Sequence, residues 1–220
     1  MASADPVSAS HPGSRSVSER KGDEIRRAAL ALFTRDGYER TSVDAIAAEA
    51  GVSKRTVYNH FGDKENLFLS VVQHNFGWMM GLVDEVVGRG LDDVHDQSAL
   101  EPALVATLLD LSRTVTQLPE RAALIRLIIT ESSRFPVLAQ PWRNRGTITD
   151  LISARLTRLA AQGLLVFDDP VQATQHLTAL TLNQLNSRSL FGTLPIGDAE
   201  IEQVIRSGVH VYLRAYAPRA

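Results

Sequence analysis

Lys54, Arg55, Thr56, Tyr58 and Asn59 lie within one short stretch, interrupted only by Val57. These are side chains that read DNA. Arg and Lys donate to guanine, Asn pairs with adenine, Thr meets the thymine methyl, and Tyr and Thr reach the phosphate backbone. No acidic residue occurs from Ala50 to Gly62, whereas Lys54, Arg55 and His60 all fall inside that window. Turned at about 100° per residue, a helix here places Ser53, Val57 and Phe61 on an inner edge and Arg55 and Asn59 nearly opposite. Thr56 and Tyr58 flank that outer face, and Lys54 sits at its exposed N-terminal end. A solvated helix face of the same composition is the competing reading, and the punctuation around the segment weighs against it.

The elements that must hold this face are legible from their spacing. Ile25, Ala28, Ala29, Leu32 and Phe33 recur on one face of a helix that Gly37 ends. A second helix is expected to open at Thr41, capped by its hydroxyl, with Asp44 in the first turn and Val43, Ile46 and Ala47 facing inward. Gly51 makes the turn, Ser53 caps the third helix, and a further helix begins near Asp63. Together these form a helix-turn-helix. Residues 1–17, rich in Ser, Ala and Pro, read as a disordered arm. Arg15, Arg20 and Lys21 at its end either reach DNA or belong to a solvated tail.

Composition sets the limits around the motif. The chain has 220 residues, 44% hydrophobic and 22% charged, with 0 Cys and net charge −2. That is an ordinary globular composition with no disulfide framework and no thiolate metal site. Between residues 15 and 75 there are ten Lys or Arg against nine Asp or Glu. The positive surface is therefore local, and binding driven by bulk charge is not expected. No apolar run approaches the ~20 residues of a membrane span, and no signal-peptide pattern is visible. A cytoplasmic protein without membrane partners is expected.

The segment resembles the DNA-binding domain of the TetR/AcrR family of bacterial transcriptional regulators. The resemblance rests on Ala31-Leu32-Phe33, Gly37-Tyr38, Thr41-Ser42-Val43, Ile46-Ala47, Ala50-Gly51-Val52-Ser53, Thr56-Val57-Tyr58, His60-Phe61 and Lys64. It implies that Lys54, Arg55 and Thr56 contact bases or adjacent phosphates, and that Thr41, Ser42, Tyr58, His60 and Lys64 mainly hold the backbone. His60 lies nearer the core side of the helix, where a structural histidine is the alternative.

After Asp63 the chain reads as helices almost throughout, punctuated at Gly88–Asp96, Pro119, Pro136, Pro141, Gly163 and Gly192–Gly197. Pro170 after Asp169 marks a helix start, and Asp198 is expected to cap the last helix. The predicted fold is all-α: an arm over 1–17, a helix-turn-helix domain over 18–66 and a helical domain over 67–220. The resemblance implies that the last of these binds a small-molecule effector and dimerises. Leu124–Trp142, with Glu131, Arg134, Phe135 and Pro136, resembles the C-terminal domain of an AefR-like subgroup. Phe76, Trp78, Met79, Trp142, His176 and Asn183 form a mixture suited to an apolar pocket with a few orienting groups. The same side chains also suit ordinary core.

A short recognition helix covers few base pairs, so a homodimer on a palindromic operator, with half-sites about 34 Å apart, is expected. Leu177, Leu180 and Leu185, with Ile201, Val204, Ile205 and Tyr212, read either as its interface or as core. The expected function is that of a repressor released by its effector. A ligand-independent DNA-bound interaction protein is the alternative. No His-Glu metal motif, Gly-rich phosphate loop or nucleophile–base arrangement is present, so no enzyme activity, cofactor or metal is expected.

Overall fold

A computed structural model describes residues 17–116, 118–140 and 148–218. The architecture is all-α, with no strand among the described residues. Helix α1 (Val17–Asp36) buries Ile25, Ala28, Ala29, Leu32 and Phe33, the face set by their spacing. Helices α2 (Val43–Glu49) and α3 (Lys54–Phe61) follow, joined through Gly51 at φ 64°. Glycine meets little penalty in that left-handed conformation. The expected arm lies outside the described residues apart from Val17, which opens α1; Arg20 and Lys21, expected at the end of the arm, belong instead to the first turns of that helix.

Ser42, not Thr41, caps α2: its side chain accepts from the Ala45 amide at 3.1 Å. The Thr41 hydroxyl points inward and donates towards the carbonyls of Gly37 at 2.8 Å and Leu32 at 3.3 Å, sealing the end of α1.

Helix α4 (Lys64–Leu91) starts at Asp63, which accepts from the Asn66 amide at 2.7 Å. At 28 residues it spans roughly 42 Å and serves two cores. Leu67, Phe68, Val71 and Val72 close the core of the head, whereas Met79, Val83, Val86, Val87 and Leu91 enter the larger core. The chain continues through α5 (Gln97–Leu111), a π-helical turn (Ser112–Thr116), α6 (Pro119–Glu131) and a 3-10 turn (Pro136–Ala139). Then come α7 (Ile148–Ala161), α8 (Pro170–Leu180), α9 (Leu182–Arg188) and α10 (Asp198–Tyr216). Asp169 caps α8 by accepting from Val171 and Gln172. Gly197, not Asp198, takes the cap position of α10, with Asp198 in the first turn, where its charge suits the helix dipole.

Two further expectations are corrected by packing. The break placed at Gly88–Asp96 begins only at Asp92, because Gly88 and Gly90 serve contact rather than a turn. A Cβ on Gly90 would lie 2.0 Å from the Thr107 hydroxyl, so glycine there lets α5 close against α4. Leu177, Leu185, Ile201, Val204, Ile205 and Tyr212 are all at most 5% exposed and fill the chain's own core. Their burial places them in the core, the second of the two readings. Of that set Leu180 and Val204 border an outer groove, beside Val211, which is 49% exposed.

The end of α4 is clamped to α7 by Arg155, which pairs with Asp84 at 2.8 Å and Asp92 at 3.5 Å. Arg158 adds a pair with Asp92 at 2.9 Å and donates to the Leu91 carbonyl. Two glycines of α4 should respond oppositely to alanine. Gly81 has open space around it, so Gly81→Ala should stabilise by up to about 1 kcal/mol through helix propensity. Gly90→Ala should instead cost about 1 to 3 kcal/mol through overpacking. Denaturant unfolding checks both, and stabilisation by Gly90→Ala would contradict the close approach.

Candidate nucleic-acid interface

Ser53 caps α3 by accepting from the Thr56 amide at 3.1 Å, and its hydroxyl also meets that of Thr56 at 2.9 Å. Val57 anchors the helix at 1% exposure, while Arg55, Tyr58 and Asn59 project outward. Arg55 has no hydrogen-bond or ion-pair partner among the described residues. This face is about 12 Å long by helix rise, short enough to lie within one major groove.

Lys54 is held differently. Its ammonium pairs with Asp44 at 2.8 Å, which raises its pKa through the hydrogen bond and the neighbouring charge. The pair spans α2 and α3 and is largely exposed, so it restrains the N-terminus of α3 weakly. Ser42 sits exposed at the start of α2. Thr41 does not join it, because that side chain is buried with both hydroxyl contacts internal. His60 is half-buried, with its ring turned towards Gly22 of α1 and Phe61, so it sits at the α1 junction.

Lys64 lies at the seam between the head and the rest of the chain. Its ammonium is 4.3 Å from the centroid of the Tyr38 ring and donates to the Glu39 carbonyl at 3.2 Å. Partial burial lowers its pKa. Arg134 approaches the same ring at 4.8 Å and forms an ion pair with Glu39. Tyr38 is itself buried, and burial raises its pKa.

The second cluster read from sequence divides. Phe76, Trp78 and Met79 line a cleft of about 310 Å³ between α4 and α6, with Leu30 of α1 beside them. His176 and Asn183 are exposed on α8 and α9 and do not reach it; His176 instead hydrogen-bonds the Tyr216 hydroxyl. Trp142 lies outside the described residues. The α6 wall, including Arg121, Leu124, Ile125 and Ile128, was not anticipated from sequence. Its signal was present in their i, i+3, i+4, i+7 phase, which places one arginine among three aliphatic residues. Among the described residues no group of His, Asp and Glu could hold a metal ion. No described helix is long and apolar enough to cross a membrane.

Residues 25–71 match the family described as bacterial regulatory proteins, tetR family. Residues 103–218 match the AefR-like transcriptional repressor C-terminal domain. The HTH-type transcriptional repressor AcnR of Corynebacterium glutamicum is 27% identical over 190 residues, 84% of this chain and 90% of that protein. A crystal structure of a TetR-family transcriptional regulator from Mesorhizobium loti MAFF303099 superposes with a TM-score of 0.84 at 30% identity. It covers 93% of this chain and 100% of its own. The flavonoid-responsive regulator FrrA gives a TM-score of 0.65 at 34% identity, covering 92% of this chain and 100% of its own. On these matches and the helix-turn-helix that precedes them, the chain belongs to the TetR family of bacterial transcriptional regulators.

Proposed function

We propose that this regulator is a dimeric, sequence-specific repressor that leaves a palindromic operator when a small molecule occupies the cleft between α4 and α6. One observation carries the reading. Leu124, Leu127 and Ile128 of α6, with Phe135 and Leu138 beyond it, belong to the same buried core as α1, α2 and α3. Leu124 and Ile128 also line the cleft. A ligand that shifts α6 therefore acts on the base of the reading head without needing to touch α3. By linkage, operator binding then weakens ligand binding by the same factor. The naming of one structural relative as flavonoid-responsive and of several sequence relatives as repressors supports a ligand-responsive repressor.

Specificity is assigned to Arg55, Asn59, Thr56 and Tyr58, with Lys54 and Ser42 at the groove edge. Arg55→Ala should cost about 1 to 3 kcal/mol of operator binding and relax the preference at one base pair. Selection of binding sites from random DNA checks this, and an unchanged profile would contradict it.

The dimer is assigned to the outer face of α8, α9 and α10, where Leu180, Gln184, Arg188, Gln203, Ser207 and Val211 line a shallow groove. A Cβ on Gly208 in this region would lie 2.3 Å from the Leu180 carbonyl, so α8 and α10 pack tightly beneath the groove. Val211→Glu should convert a dimer to a monomer in sedimentation and abolish tight binding to the two-half-site operator. A wild-type monomer, or a variant that remains dimeric, would refute this face.

A further inference from the structure

The cleft between α4 and α6 is walled mainly by apolar side chains, but Glu120 and Arg121 of α6 also line it. Arg121 is only 8% exposed, and its guanidinium lies 4.5 Å from the centroid of the Trp78 ring. Its Nη1 donates to the Thr114 carbonyl. No carboxylate forms an ion pair with it among the described residues. Burial pulls its pKa down, against the partial support of the Glu120 charge. None of its nitrogens is both buried and without a partner, so the cost of holding the guanidinium largely out of water is moderate, and an anion that completes its shell lowers that cost.

Trp78 is the second unusual feature. It is 62% exposed, although it adjoins the apolar surface formed by Leu30, Met79, Leu124 and Ile128. The cleft volume of about 310 Å³ falls at the small end of ligand sites. An indole at the rim, a largely buried guanidinium without an ion-pair partner among the described residues beside it and aliphatic walls below make three different demands on one occupant. A flat ring satisfies the indole and the walls, and a carboxylate satisfies the arginine through two parallel hydrogen bonds.

The geometry points to a planar aromatic carboxylate as the ligand of this cleft. The carboxylate takes Arg121, and the ring system stacks on Trp78 and lies against Leu124 and Ile128. The assignment rests on the reading of this cleft as the effector site, and it names the chemistry that site selects.

Calorimetric titration with 2-naphthoate and its uncharged isostere 2-naphthamide tests it. Wild-type protein should bind the naphthoate at least about tenfold more tightly, the value of a charge-assisted hydrogen bond. Arg121→Gln should abolish that preference, and Trp78→Ala, on an exposed side chain, should weaken both probes while keeping it. Equal affinities in the wild type, absence of naphthoate binding, or a preference that survives Arg121→Gln would overturn the assignment. If circular dichroism shows that Arg121→Gln is unfolded, Trp78→Ala decides: unchanged affinity for both probes would overturn it.

Operator affinity with and without naphthoate separates the two levels. Tight naphthoate binding that leaves operator affinity unchanged would uphold the ligand class and contradict the release mechanism.

Discussion

The buried ring of Tyr38 is where the reading head and the helical body become one object. Phe33 of α1 lies 5.8 Å from it, Phe68 of α4 4.9 Å, and Phe135, just beyond α6, 4.9 Å. Pairs of this kind contribute about 0.5 to 1.5 kcal/mol each beyond their burial. Lys64 and Arg134 add their cations to the same ring, and Arg134 also pairs with Glu39. Segments far apart in sequence thus share one hydrophobic cluster. A head of three short helices gains from this, because α2 has 7 residues and α3 has 8. Helices of fewer than about 12 residues are marginal in isolation, so packing must hold them.

That constraint explains how a small reading surface can be held rigid. Within the head, Val57 and Ile46 fix α3 and α2 in depth, and the caps at Ser42 and Ser53 fix where each helix begins. These contacts set the shape of the face and leave Arg55 free for an external partner. The direction in which the face points depends on α1 and α4, which meet α6 in the same cluster. The cleft lies on the other side of that meeting, bordered by Leu30, Phe76 and Ile128. Ile46 and Val57 belong to that same cluster, so the shape of the face and its attachment to α6 rest on one shared core.

Much of the head was legible in sequence because its determinants are local. Ser53 followed by Val57, the left-handed Gly51 and the spacing from Ile25 to Phe33 each specify geometry within a few residues. Thr41 and Ser42 show where this stops. Either hydroxyl is a competent cap, and only the carbonyls of Leu32 and Gly37, reached through tertiary folding, draw Thr41 inward. Lys54 reads as a free DNA contact until α2 brings Asp44 beside it. Apolar periodicity along α8 to α10 found a buried face, but periodicity does not distinguish a face that meets another chain from one that meets its own. The core took Leu177, Ile205 and Tyr212, leaving the outer groove to less apolar residues. His176 and Asn183 joined the pocket set by residue type alone, and the fold turns both to solvent.

The claim that the head and α6 share one cooperative core is tested most directly by amide hydrogen exchange of Phe135→Ala against the wild type. Removing that ring should cost about 3 to 5 kcal/mol in the cluster. Protection is then expected to fall together in α6, in α1 from Ile25 to Phe33 and in α4 from Leu67 to Val72. Loss of protection confined to residues 119–139, with the head unchanged, would contradict the shared core and with it the route from cleft to DNA.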